Sequence, residues 1–228
     1  PNVEARKDEI AAYFKPAERF YPVKNFNTLV SNSSLYIKIV PSDENKIVVS
    51  GNDEDLNKIN INQGGQTINI TETGAFNDCI FCINFRPQVI VYTNRLNQLD
   101  LGNSTYVIVD GMHLPLLKIN LKDRARISLI KGEIKKVVLN QKDTTRSYST
   151  GQISQLSLTM TDYSVCNFQA VGIDDVTVDL NGYSQANLKV WDRLIGAVNN
   201  QAKLYYDGAP IDENLVITGE ADLKGDNR

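Results

Sequence analysis

From about Leu99 onward the chain repeats one pattern every 18 to 21 residues, and this repeat limits the possible folds more than any other feature. With Leu101, Leu121, Leu139, Met160, Leu180, Val198 and Ile217 as anchors, the spacings are 20, 18, 21, 20, 18 and 19. Two residues before each anchor stand Leu99, Ile119, Val137, Leu158, Val178, Gly196 and Leu215. Two residues after come Asn103, Asp123, Gln141, Asp162, Gly182, Asn200 and Gly219, nearly all turn-formers. Two further on come Thr105, Ala125, Asp143, Ser164, Ser184, Ala202 and Ala221, small everywhere except Asp143. A step of two is the period of a strand, in which alternate residues share a face. The turn residue bends the strand, and the small residue fits the inner corner of the bend. Copies this short cannot be helical-pair repeats or propeller blades, and they lack the Asn and Leu ladder of leucine-rich repeats. They suit the coils of a β-solenoid, where each coil buries its apolar side only by stacking on the next. About seven regular coils, roughly 4.8 Å apart, would make a rod about 34 Å long. An antiparallel sandwich is the rival fold.

Composition agrees with an all-β reading. There are 21 Ile and 19 Val against 20 Leu, and 24 Asn to supply turns. Before the regular coils, Thr28–Val30, Leu35–Val40, Lys46–Ser50, Leu56–Asn62 and Thr67–Thr71 read as short strands. Gly64-Gly65 marks a hairpin. Residues 20–98 are therefore expected to be irregular β coils and hairpins that begin or cap the rod, with Gln88 to Tyr92 delivering the chain into the first regular coil. Residues 1–19 are a leader or a short helix over Glu4–Phe14, stopped by Pro16. No linker divides the chain, so residues 20–228 are expected to form one β-solenoid domain, regular over 99–228.

Charge and residue types exclude several functions. With 24 Lys and Arg against 27 Asp and Glu, there is no strongly basic face for nucleic acid. No apolar run is long enough to span a membrane as a helix. The one histidine, His113, sits beside Gly111 and Pro115 and reads as an exposed loop residue, which leaves no His-based triad or multi-His metal site. Cys79 and Cys82 have redox or half-zinc spacing but nothing to complete a metal site, and Cys166 falls in an inward column as a small apolar residue. No phosphate-binding or nucleophile-elbow motif is present. No cofactor is expected.

Several stretches point to a family. Phe26-Asn-Thr-Leu-Val-Ser-Asn-Ser-Ser-Leu-Tyr-Ile-Lys-Ile-Val40 resembles the opening of the auto-transporter adhesin "head GIN" domains of bacterial envelope proteins, and Ser50 to Ile59 resembles the next segment. Asn181-Gly-Tyr-Ser184 and Thr218-Gly-Glu-Ala221 stand where that family carries a Ser-Gly-Ala-Ser-like turn, and Asn200 to Pro210 resembles its closing coil. Lys122-Asp-Arg124 and Asn140-Gln-Lys142 depart from it, and Gly172-Ile-Asp174 is nearest to the Gly-Ile-Asn triplet. The resemblance covers about 26–225. It implies a right-handed single-stranded parallel β-helix, pectin-lyase-like in shape, exported to the periplasm, outer membrane or cell surface, with no established activity and adhesion as the role usually assigned to it. Export rests on the resemblance, since a chain beginning at Pro1 is what either signal-peptide removal or truncation would leave.

Two surfaces are candidates for function. Asp174, Asp175 and Asp179, with Lys189 or Arg193 about one coil onward, are the best acidic group for a carbohydrate-active enzyme on a β-helix. The outward column after each turn reads Ser104, Arg124, Lys142, Tyr163, Tyr183, Gln201 and Glu220. Stacking would set Arg124 by Lys142 and Tyr163 by Tyr183, a rigid aromatic and cationic ladder suited to a glycan or an envelope or cell-surface protein. The expected function is an exported, non-enzymatic binding or adhesion domain using Tyr163, Tyr183, Arg124 and Lys142. The alternatives are the enzyme and a purely structural envelope protein.

Overall fold

The computed structural model describes residues 16–76 and 86–226. The expected helix over Glu4–Phe14 and the Cys79/Cys82 pair lie outside the described residues. The chain opens with β1 (Pro16–Pro22), β2 (Thr28–Ser33), β3 (Tyr36–Val40) and β4 (Lys46–Asn52). A single helical turn, α1 (Asp53–Leu56), precedes β5 (Ile59–Gly64), β6 (Thr67–Glu72) and β7 (Gln88–Tyr92). β5 and β6 are the hairpin marked by Gly64-Gly65; Gly65 takes a φ of 59°, which glycine adopts without strain.

The regular part continues with β8 (Gln98–Asn103), β9 (Tyr106–Asp110), β10 (His113–Leu114), β11 (Leu117–Leu121), β12 (Arg126–Ile130), β13 (Glu133–Gln141), β14 (Arg146–Ser149) and β15 (Gln152–Met160). Next come two long bent strands, β16 (Val165–Leu180) and β17 (Gln185–Val198), and finally β18 (Lys203–Asp207), β19 (Asp212–Ile217) and β20 (Asp222–Asp226). One parallel sheet stacks β8, β11, β13, β15, the second half of β16, the second half of β17, and β19. A second stacks β9, β12, β14, the first half of β16, the first half of β17, β18 and β20. This is the expected all-β solenoid. Its inward residues form one continuous apolar cluster from Phe26 to Tyr206.

The register corrects one copy of the repeat. Leu121 pairs with Gln141, and Gln141 with Met160, so the third anchor is Gln141 and not Leu139. The spacings become 20, 20, 19, 20, 18 and 19. The misfit at Asp143 then vanishes, because Asp143 becomes the turn residue and Thr145 the small one. Gln141 is 3% exposed, yet its amide is satisfied: Nε2 donates to Thr145 Oγ1 and the Val165 carbonyl, and Ser147 Oγ donates to Oε1. A fully bonded amide can occupy an apolar position at little cost.

A second correction concerns the start of the rod. β2 pairs with β6 on one side and β8 on the other, and β3 lies between β7 and β9. The coil β2–β3 is thus wedged between β6–β7 and the first regular coil. β7 does not abut β8. It pairs with β3 and, antiparallel, with β4, which in turn carries β1.

Each turn reuses one backbone solution. Asn103, Asp123, Asp143, Asp162, Gly182, Asn200 and Gly219 all have φ between 53° and 69°. Asn, Asp and Gly tolerate this left-handed region best, which explains the turn column. The small column Thr105, Ala125, Thr145, Ser164, Ser184 and Ala202 is fully buried at the inner corner.

Candidate ligand face at the turn edge

The residue after each turn is held by the coil before it. The N–H of Arg124 donates to the Asn103 carbonyl, that of Thr144 to Asp123, that of Tyr163 to Asp143 and that of Tyr183 to Asp162, at 2.8–2.9 Å. The outward column is therefore Ser104, Arg124, Thr144, Tyr163, Tyr183, Gln201 and Glu220. Lys142 does not belong to it. The register shift moves Lys142 two residues back, into the column of Lys122, whose N–H bonds Leu101 as that of Lys142 bonds Leu121. Arg124 and Lys142 are on neighbouring coils but in different columns.

The tyrosines do stack. Their ring centroids are 5.0 Å apart with planes 3° from parallel, at 62% and 54% exposure. Beyond them, Gln201 Nε2 donates to Glu220 Oε2. Beneath the column runs a ladder of carboxylates. Asp123 Oδ2 accepts from the Asn103 N–H, Asp143 Oδ2 from Asp123, and Asp162 Oδ2 from Asp143, at 2.8–3.1 Å. The Asp143 N–H, with help from the Thr161 hydroxyl and then the charge of Lys142, holds the Asp162 carboxyl below its ordinary range. The turns are thus locked coil to coil, and Tyr163 and Tyr183 stand on a fixed base.

The other sequence candidates have different fates. His113 is exposed on β10. Asp175 Oδ1 accepts from Arg193 Nε at 3.1 Å and Asp179 Oδ1 from Asn181 Nδ2 at 3.0 Å, while Asp174 is exposed. Among the described residues no group of three or more His, Cys, Asp or Glu could hold a metal. Cys166 is buried, and burial pushes its thiol up to about 12. Tyr206 is also buried: desolvation first, then its hydrogen bond to Glu213, raises its hydroxyl to about 12. Trp191 is half exposed, with Lys189 Nζ 4.9 Å from a ring centroid. Its indole lies where a Cβ at Gly172 would be, a fit that the isolated glycine only hints at.

The family model described as "Putative auto-transporter adhesin, head GIN domain" matches residues 25–210. The chain belongs to that family. No curated protein matches it significantly. Among solved structures, a protein described as a putative adhesin from Bacteroides fragilis superposes with a TM-score of 0.83 at 16% identity, over 93% of this chain and 97% of that one. A putative adhesin from Parabacteroides merdae gives 0.69 at 13%, over 93% and 97%. A protein from Parabacteroides distasonis described as a putative lipid binding protein gives 0.68 at 11%, over 91% and 96%. At such identities these likenesses speak for the fold alone. No helix among the described residues is long and apolar enough to cross a membrane, which says nothing of membrane β-barrels.

Proposed function

We propose that this head GIN domain is an exported, non-enzymatic binding module of the bacterial cell envelope, at the periplasm, outer membrane or cell surface. It engages a glycan or a surface protein through the turn edge. The observation that carries this reading is the Tyr163–Tyr183 stack, two exposed parallel rings on a base with almost no freedom left to lose on binding. Arg124 adds a cation one coil beyond Thr144, and Lys142 borders the same edge. A binding rather than catalytic role is supported by the acidic group, since Asp175 and Asp179 are engaged with Arg193 and Asn181. Covering two tyrosine rings is worth a few kcal/mol, so one domain binds weakly and useful adhesion comes from many copies together.

The test is a glycan array on the purified chain, followed by Tyr163→Ala with Tyr183→Ala. Binding should disappear while the far-ultraviolet circular dichroism spectrum is unchanged. Removing an exposed stacked pair should cost no more than about 1.5 kcal/mol of stability. Full-strength binding by the double variant would move the interaction to another face, with Trp191 the next candidate.

A further inference from the structure

On the other side of the same turns the first sheet carries an open groove of about 570 Å³. Asp100, Asn120 and Asn140 line it as one column on successive coils, and Lys122 and Lys142 line it two residues further along the chain. Val30, on the wedged strand β2, is among the lining residues, so the groove reaches the capped part of the rod. The polar column is already directional. Asn120 Nδ2 donates to Asp100 Oδ1 at 2.6 Å, and Asn140 Nδ2 donates to Asn120 Oδ1 at 2.8 Å. Gln98 Nε2 donates to the other oxygen of Asp100 at 2.8 Å. Asp100 is thus engaged at both oxygens, while among the described residues none donates to Asn140 Oδ1.

The lysines are differently placed. Both are exposed, and among the described residues neither is in an ion pair. The acids that follow them, Asp123 and Asp143, each spend an oxygen on a turn N–H. Arg124, Arg126 and Arg146 are exposed on the same two coils, also without ion pairs. Of these cations Lys122 and Lys142 line the groove itself, on neighbouring coils, and give its rim positive charge in a chain of net charge −3.

We infer that this groove binds a linear anionic polysaccharide running along the rod axis, with Lys122 and Lys142 holding carboxylate or sulfate groups and the Asn column meeting hydroxyls. The inference rests on the binding-module reading but uses a surface that shares with the turn edge only Lys142, at their common border, and does not include the tyrosine stack. The cations repeat at one coil, about 4.8 Å, close to the length of one pyranose unit. An extended acidic peptide fits less well, because its same-face side chains repeat at about 6.6 Å. Nor can a peptide add as a strand there, since β11 and β13 already have parallel partners on both sides.

The experiment is titration calorimetry on the 228-residue chain with four probes of matched length: oligogalacturonate for carboxylate, heparin oligosaccharide for sulfate, neutral dextran, and poly-glutamate. Binding is expected to one or both anionic sugars, to weaken with added salt, and to be at least tenfold weaker or absent for dextran and poly-glutamate. Lys122→Gln should weaken it about tenfold and Lys122→Arg should largely restore it. Tyr163→Ala with Tyr183→Ala should change it less than threefold. Failure of both anionic sugars to bind, equal binding of poly-glutamate, or indifference to Lys122→Gln would each overturn the inference. If the tyrosine variant alone abolishes glycan binding, the groove proposal falls and the turn-edge reading stands. If the Lys122 variant alone does so, the groove proposal stands and the turn-edge reading falls.

Discussion

From Gln98 onward each strand finds its next partner 17 to 20 residues downstream, whereas β2 begins its pairings 39 and 70 residues away, at Thr67 and Gln98. The two regions build the same stacked sheets by different physics. In the regular coils a new coil needs only the closure of a short loop onto a surface already present, so order can propagate coil by coil. The first region must close long loops before any contact rewards it, the slower and less local route. What it gains is an end. β4 runs antiparallel on β7 and β1 antiparallel on β4, and β5 runs antiparallel on β6, so the parallel stack is covered there. At the opposite end, among the described residues, β19 and β20 pair on one side only, Val216 is 57% exposed, and Leu215 is only partly buried.

The largest test of this contrast removes apolar bulk at each end. Leu29 on β2 is fully buried between two coils, so Leu29→Ala should cost about 2–5 kcal/mol in denaturant unfolding. Leu215→Ala on the terminal coil should cost less than about 1 kcal/mol. Equal losses would mean that the two ends are not energetically different.

Next in size is the inner corner of the regular coils. Ser184→Leu should overpack it and cost about 1–3 kcal/mol. Ser184 Oγ has no hydrogen-bond partner among the described residues, so Ser184→Ala should be neutral or slightly stabilising. Ser164 Oγ donates to the Thr161 carbonyl at 2.7 Å, and Ser164→Ala should cost about 1 kcal/mol. Thermal melts of the three variants read the order directly; a stable Ser184→Leu would show that the corner is not closed.

The smallest effect is electrostatic. Folding lowers the pKa of Asp162, so its contribution is complete above the ordinary carboxylate value of about 3.9 and fades as pH falls through the lowered one. Asp162→Asn keeps a residue that tolerates positive φ but removes the charge. The difference in melting temperature between wild type and this variant should be constant near neutrality and shrink in acid. A difference that grew on acidification would reverse the sign assigned to the carboxylate ladder.

Legibility followed the same division. The regular coils could be read because alternation and turn chemistry recur locally, and the Tyr163–Tyr183 stack was visible as an offset in that repeat. Gln141 hid the true register, since no pattern of side-chain classes anticipates a buried amide bonded to Thr145, Ser147 and Val165. That one slip placed Lys142 beside Arg124 and concealed the Lys122–Lys142 pair, and with it the groove. In the first region single strands and the hairpin could be found, but the wedging of β2–β3 between later strands could not. Nothing within Thr28 to Val40 records partners that lie tens of residues downstream.

The column of left-handed turns has a further consequence, for descent. Each turn asks only for Asn, Asp or Gly, and each neighbouring column only for a size or a polarity, so individual residues can be exchanged while every constraint is still met. A fold built this way can be reached by sequences that share few letters, as the 16% identity beside a TM-score of 0.83 illustrates. The same economy makes one coil resemble the next. Two relatives can then be aligned a full coil out of step at little penalty, so matching positions across the family calls for the strand register as well as the letters.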